Sequence, residues 1–468
     1  MRRLTGALAL ALALTLSVPT VAAAEPLSEV ALYHRCYVRM TGLFPDYQQD
    51  PGLNQVRQGQ ASGVEACLAV LDQAMLMAQG TVEQPAPEPL AEDVLSRFHR
   101  LHSSWFLNPR FQEFDDISLG TESLYDPTEP AAYITRALLN PTVPASSILT
   151  AQEHLRVLRM PSQGTLYELG SQDFAFDDPP LLRLGPMAGV EVAGPLARDY
   201  RLPDDEEIEE GGDDLPRRGT FEIGAHYGGG VLGSSSYLLL NVSEALDFSA
   251  NGGRKMPRKW AKAILHDVLC RDLPAIRVED AIPFVVADSA VPFRRQTNCT
   301  QCHASIDRIA STIRGFRYAL LVGEGIANGG YFATFAAATR PQDSGWPAIE
   351  DPDYGLRPAH GTLYFRDHAG ELVDLPLRDP ADLGRQLAQL DGPYICLAQR
   401  YYRYFTGIEA YIGDPQNFPA APDSPDARHR DKVIGLGQEL RRSGDLRALI
   451  EAILRSPDYR ESDFGASR

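Results

Sequence analysis

Three observations predict a mainly α, multi-domain chain. Apolar residues recur at helical spacing in several stretches. A run of like charge with paired glycines divides the chain near its middle. One short segment alone reads as a β-hairpin. Hydrophobic content of 44% and charged content of 23% belong to an ordinary globular protein.

The N-terminus comes first. Arg2 and Arg3 form a positive region, an apolar run extends from about Leu4 to Val18, and Ala22-Ala23-Ala24 precedes Glu25. That layout predicts a signal peptide over 1–24, cleaved after Ala24, because the apolar run is too short and wrongly flanked for an anchor. No cysteine sits at the cleavage point, so no lipid anchor is indicated. No later run is apolar over the roughly 20 residues that a membrane span needs. The expected location is periplasmic or extracellular. The formal charge of −18 becomes −20 once Arg2 and Arg3 are removed, which disfavours nucleic acid and anionic lipid as partners. About 440 residues remain, enough for two or three domains.

Residues 25–202 read as a mostly helical domain. Val94, Leu95, Phe98 and Leu101 mark a helix between Glu92 and Phe106. Thr150-Ala-Gln-Glu153 has the form of a capping box, and Leu155, Leu158 and Arg159 would carry that helix to a stop before Pro161. Residues 203–216, with PDDEEIEEGGDD from Pro203 to Asp214, read as an acidic linker or loop. A calcium site is the sharper alternative there, but the spacing matches no calcium loop. In 217–345 a Gly/Ser-rich stretch leads to the apolar run Tyr237 to Val242. A helix follows, with Pro257 near its first turn and its end near Cys270. In 346–468, Leu363 to Phe365 and Leu372 to Leu375 flank Asp367-His-Ala-Gly370 as a hairpin. Asp379 is an expected N-cap with Pro380 at the first helical position, and Leu383, Leu387 and Leu390 follow as a buried stripe. The last helix carries Leu446, Leu449, Ile450, Ile453 and Leu454 and is stopped by Pro457.

The chemistry concentrates in Cys299-Thr-Gln-Cys302-His303. Covalent haem attachment needs two thiols one helical turn apart, to form thioethers with the porphyrin vinyl groups, and an imidazole directly after the second, to reach the iron. The C-x-x-C-H order supplies all three. A thioredoxin-like pair would open a helix after a strand, and a zinc site would want a second ligand pair nearby; neither context is apparent. The expected cofactor is therefore one haem c, with Cys299 and Cys302 as covalent attachment points and His303 as the proximal iron ligand. Segment 217–345 becomes a helical haem-c domain, followed over 346–468 by the short β-hairpin and a helical C-terminal module.

Around this motif several readings stay open. Asp307, one turn beyond His303, either orients the imidazole or caps the helix or pairs with Arg308 or Arg314. No Met follows Met256, so the distal ligand is Met256, His226, His266, His360, His368 or none. Arg254, Lys255, Arg258, Lys259 and Lys262 form a basic cluster, read first as a solvated helix face and second as a contact for propionates or an acidic partner. Arg294 and Arg295 are better propionate candidates by proximity. The remaining cysteines, Cys36, Cys67, Cys270 and Cys396, permit two disulfides in three connectivities, or four buried thiols. Sequence order suggests Cys36 with Cys67 and Cys270 with Cys396.

A resemblance adds to this. Gly229-Gly-Val-Leu-Gly-Ser-Ser-Ser-Tyr-Leu precedes the basic segment Arg254 to Lys262, Leu269-Cys270 and Leu273-Pro274. Then come Cys299-x-x-Cys302-His303, Ile306-Asp307, the run from Cys396 to Gly407, Ser443-Gly-Asp-Leu-Arg and Ser456-Pro-Asp-Tyr-Arg460. This order resembles secreted bacterial haem-c proteins built of PSD-type modules of unknown function, relatives of planctomycete-type cytochrome c. It covers about half the chain, from Gly229 to Arg460, with a fainter likeness at His34-Arg-Cys36-Tyr-Val-Arg-Met-Thr-Gly42. The resemblance implies a mostly helical haem domain and cysteines at the Cys270 and Cys396 positions that favour their pairing. Arg308 stands where the family usually has Pro, so the haem helix is expected to run on.

Three functions are carried forward. The first is an exported monohaem c-type cytochrome that transfers electrons to a redox partner protein. The second is a haem enzyme or small-ligand- or peroxide-reactive protein with an open distal site. The third is a binding or scaffold protein with structural haem.

Overall fold

The structure is a computed structural model. It describes residues 25–106, 126–160, 185–194, 197–201, 220–224, 226–241, 252–320, 330–335, 359–418, 420–421 and 424–465. The expected signal peptide (1–24) and the acidic segment (203–216) lie outside the described residues.

Helices dominate. In chain order they are α1 (Glu29–Thr41), α2 (Pro51–Arg57), α3 (Gly63–Asp72), α4 (Ala91–Ser103), α5 (Glu129–Leu139), α6 (Ser147–Thr150), α7 (Ser235–Leu240) and α8 (Gly252–Ala263). They continue with α9 (Val278–Ala281), α10 (Thr297–Ala310), α11 (Pro380–Leu387), α12 (Gly392–Thr406), α13 (Pro425–Ser443), α14 (Leu446–Leu454) and α15 (Pro457–Arg460). Among the described residues, none is long and apolar enough to cross a membrane.

Local chemistry explains many of the boundaries. Ser28 caps α1 through a bond from the Ala31 N–H, and Gly42 ends it in the left-handed region. Asp379 caps α11 by accepting from the Asp382 N–H at 2.6 Å, with Pro380 next, as expected. Leu383 and Leu387 are buried, and Leu390 packs against them half-buried. In α14 all five expected apolar residues are buried, and Pro457 opens the next helix. Helix α4 likewise buries Val94, Leu95 and Phe98.

The structure is less helical than expected between 150 and 159. Thr150 ends the single turn α6, and His154–Arg159 is strand β3. Leu155 and Val157 are both buried while Arg156 between them is exposed, a period of two. The Glu153 carboxylate accepts from the Gln152 N–H, so the expected capping box does not form. β3 joins β1 (Leu76–Gln79), β2 (Val82–Pro85) and β4 (Met187–Ala193) in an antiparallel sheet of order β1-β2-β4-β3. A second antiparallel sheet, order β5-β6-β8-β7, is built from Ala197–Arg201, Thr220–Gly224, Phe316–Leu320 and Gly330–Phe335. The expected hairpin forms as β9 (Gly361–Arg366) and β10 (Leu372–Leu377), with Gly370 at φ 82 in its turn.

One apolar core runs through the molecule from Leu32 on α1 to Tyr459 on α15. Both ends meet: Arg35 donates to the Tyr459 and Glu461 carbonyls, and Arg460 pairs with Glu29. Two disulfides tie it, Cys36–Cys67 with Cα atoms 6.2 Å apart and Cys270–Cys396 at 5.3 Å, within the span such bonds allow. The glycine motif is also explained. Gly228, Gly229 and Gly230 all have positive φ, and a Cβ on Gly230 would lie 2.0 Å from the Ile148 carbonyl oxygen. Only glycine permits that turn against α6.

Candidate functional site

Helix α10 carries Cys299, Cys302, His303 and Asp307. At 100° per residue, Cys299, Cys302, His303 and Ile306 share one face. Cys299 and Cys302 are half-buried thiols outside either disulfide. Burial pushes the Cys302 thiol up, the neighbouring Cys299 adds to this, and Lys262 opposes it. Arg308 does not end the helix, which runs on to Ala310. Its guanidinium pairs with Asp374 and lies over the Phe284 and Tyr364 rings.

His303 is held on two sides. Its ring stacks on Phe293, with centroids 3.9 Å apart and planes 21° apart. Its Nδ1 lies 3.2 Å from both carboxylate oxygens of Asp307. Asp307 is fully buried and forms a fork with Arg258, whose Nε reaches Oδ1 at 2.6 Å and whose Nη2 reaches Oδ2 at 3.0 Å. Burial opposes ionisation of Asp307, but hydrogen bonds from His303 and Arg258 and the Arg258 charge outweigh it. The carboxyl is held below its ordinary range, so it stays ionised and accepts. His303 Nδ1 therefore donates, and Nε2 is the ring nitrogen left available. Arg258 also lies over Phe293, 5.2 Å from its centroid.

These contacts settle the Asp307 alternatives: it orients His303, and its cation is Arg258 rather than Arg308 or Arg314. They also correct the basic cluster. The Arg258 side chain is 18% exposed and committed to Asp307, so it is not part of a solvated face. Lys262 is exposed. The side chains of Arg254, Lys255 and Met256 lie outside the described residues. Pro257 sits inside α8, which starts at Gly252, rather than in its first turn. Arg295 is exposed and donates to the Ser289 carbonyl.

The remaining distal candidates are scattered. His226 uses both ring nitrogens on backbone, Nε2 with the Gly230 carbonyl at 2.8 Å and Nδ1 with the Gly228 N–H at 2.9 Å. His266 is exposed and its Nδ1 is 2.9 Å from Asp267. His360 is exposed just before β9, where its carbonyl accepts from Arg314. His368 sits in the hairpin turn with its Nδ1 buried and without a partner. Among the described residues, none of these four makes a hydrogen bond or ring contact with His303. No group of three or more His, Cys, Asp or Glu among them is arranged to enclose a metal ion.

Sequence reasoning missed Phe293 and the Arg258–Asp307 fork. The separations of ten positions from Phe293 to His303 and 49 from Arg258 to Asp307 carry no periodic signal linking them. No family model, curated protein or solved structure matches the chain.

Proposed function

We propose that the chain is an exported monohaem c-type cytochrome in which Cys299 and Cys302 attach the haem and His303 is the proximal iron ligand. The observation that carries this reading is the state of α10. The two thiols and the free His303 Nε2 fall on one helix, while every other cysteine is consumed in a disulfide. Bound haem supplies a one-electron iron couple. Asp307 fixes the tautomer and direction of His303, Phe293 fixes its plane, and Arg258 keeps the Asp307 carboxylate ionised in a buried setting. The two disulfides support an oxidising compartment, where thioether attachment takes place. The likeness to PSD-module haem-c proteins, carried by the quoted motifs, supports the same reading.

The carboxylate on His303 Nδ1 favours a second reading, because it makes the imidazole a stronger donor, which suits a reactive iron with an open distal site. One preparation tests both. The chain, coexpressed with a haem c attachment system, should retain haem on a denaturing gel and give a c-type pyridine haemochrome. Replacing Cys299 and Cys302 together by Ser should remove the covalent haem, and His303→Ala should change the reduced spectrum. A purified wild-type chain without covalent haem would overturn both readings. A six-coordinate, low-spin iron that ignores carbon monoxide selects the electron carrier; a five-coordinate iron that binds it selects the open site.

A further inference from the structure

A cavity of about 1020 Å³ lies away from the cysteine face of α10. Its wall meets that helix at Ile276, whose carbonyl accepts from Gln301 at 2.9 Å. Gln301 is two residues, and so about 200° of helix, from Cys299. The cavity is within the size range of small-molecule sites, which are mostly apolar with a few polar groups to orient the ligand.

One wall residue is anomalous. Arg271 is only 7% exposed, and its Nε and Nη1 are buried with no hydrogen-bond partner. Among the described residues it has no ion pair. The nearby carboxylate of Asp414 is already gripped by Arg277 at 2.6 and 2.8 Å. Burial opposes the Arg271 charge most; Asp367 and Asp414 act on it favourably without bonding to it, and Arg430, whose own Nε is buried without a partner, acts unfavourably. A buried guanidinium beside a second cation is costly to leave uncompensated. Elsewhere on the wall, Arg400 lies over the Trp105 ring at 5.2 Å and donates to a backbone carbonyl, again with no carboxylate partner among the described residues. Tyr411 and Leu273 add aromatic and aliphatic surface.

We infer that this cavity binds a small organic carboxylate with an aromatic or apolar body, its anionic group on Arg271 and its body against the ring and aliphatic walls. A guanidinium is the side chain best suited to a carboxylate, and the apolar share of the wall favours an amphipathic anion over a bare one. This inference stands on its own observations and does not depend on haem attachment.

Calorimetric titration of the purified full-length protein with benzoate, benzamide and inorganic phosphate tests it. Benzoate should bind, neutral benzamide should not, and phosphate should bind more weakly than benzoate. Arg271→Met should weaken benzoate at least about tenfold while leaving the unliganded melting temperature unchanged or higher, since the lost group is an unpaired buried cation. Three results would overturn the inference: no benzoate binding, equal binding of benzamide, or equal benzoate affinity in a folded Arg271→Met protein. Phosphate binding tighter than benzoate would overturn the amphipathic assignment. If Arg271→Met does not fold, Arg271→Lys serves in its place, with the same benzoate loss expected from the missing guanidinium geometry.

Discussion

Two guanidiniums largely withdrawn from solvent, Arg258 and Arg271, have opposite surroundings. Arg258 is clamped to the Asp307 carboxylate, which in turn holds His303. Arg271 lines a cavity, and two of its nitrogens are buried without a partner. The first is a closed circuit in which each charge is answered inside the fold, and its output is a fixed imidazole. The second is open. The difference teaches that a buried charge is informative chiefly through what does or does not answer it.

The sharpest way to break this comparison is at Asp307. Asp307→Ala strands Arg258 and frees His303, so it should cost about 3–5 kcal/mol in urea unfolding. The double change Arg258→Met with Asp307→Leu should cost markedly less, because no charge is left alone. Equal losses in the single and double variants would show that packing rather than charge compensation holds the region.

A second carboxylate, Asp280, bonded to the cavity-lining Arg366, gives a smaller effect that depends on pH. Burial opposes ionisation of Asp280, but bonds from Arg366 and the Arg277 N–H and the charges of both arginines hold its carboxyl below the usual range. With a folded value below the unfolded value near 3.9, its stabilisation is complete above about pH 4 and is lost as pH falls through the folded value. Asp280→Asn should therefore flatten the fall of stability on the acid side. Arg271→Met, with no carboxylate bonded to it, should leave that slope alone. The smallest effect is expected at Arg403–Glu409, where both side chains are more than half exposed. Replacing both by Ala should shift stability by no more than about 0.5 kcal/mol.

How far these features were legible follows from how local they are. The C-x-x-C-H helix, the hairpin around Asp367 to Gly370, the Asp379 cap and the α14 stripe are encoded within a turn or two of sequence, and the structure bears out their local form. The sheet that includes β3 was not legible. Its strands are four to seven residues long; β1 and β2 turn back on each other at Gly80-Thr81, but β2 and β3 each pair with β4 across chain distances that leave no local trace. His154 to Arg159 also carries leucines that fit a helix as easily as a strand, and only pairing with β4 decides between them. At the site, Asp307 could be read because it lies one turn from His303. Arg258 and Phe293 could not, since tertiary contact alone brings them there.

The Cys270–Cys396 bond has a practical corollary. It closes a loop with a sequence separation of 126 residues. Within that loop lie the two free thiols, His303 and the β9–β10 hairpin. A protease that severs the backbone once anywhere between the bonded cysteines leaves both pieces covalently joined, and the nick becomes visible on a gel only after reduction. Material that migrates as one intact species without reductant can therefore already be cut within the very segment proposed to carry the haem.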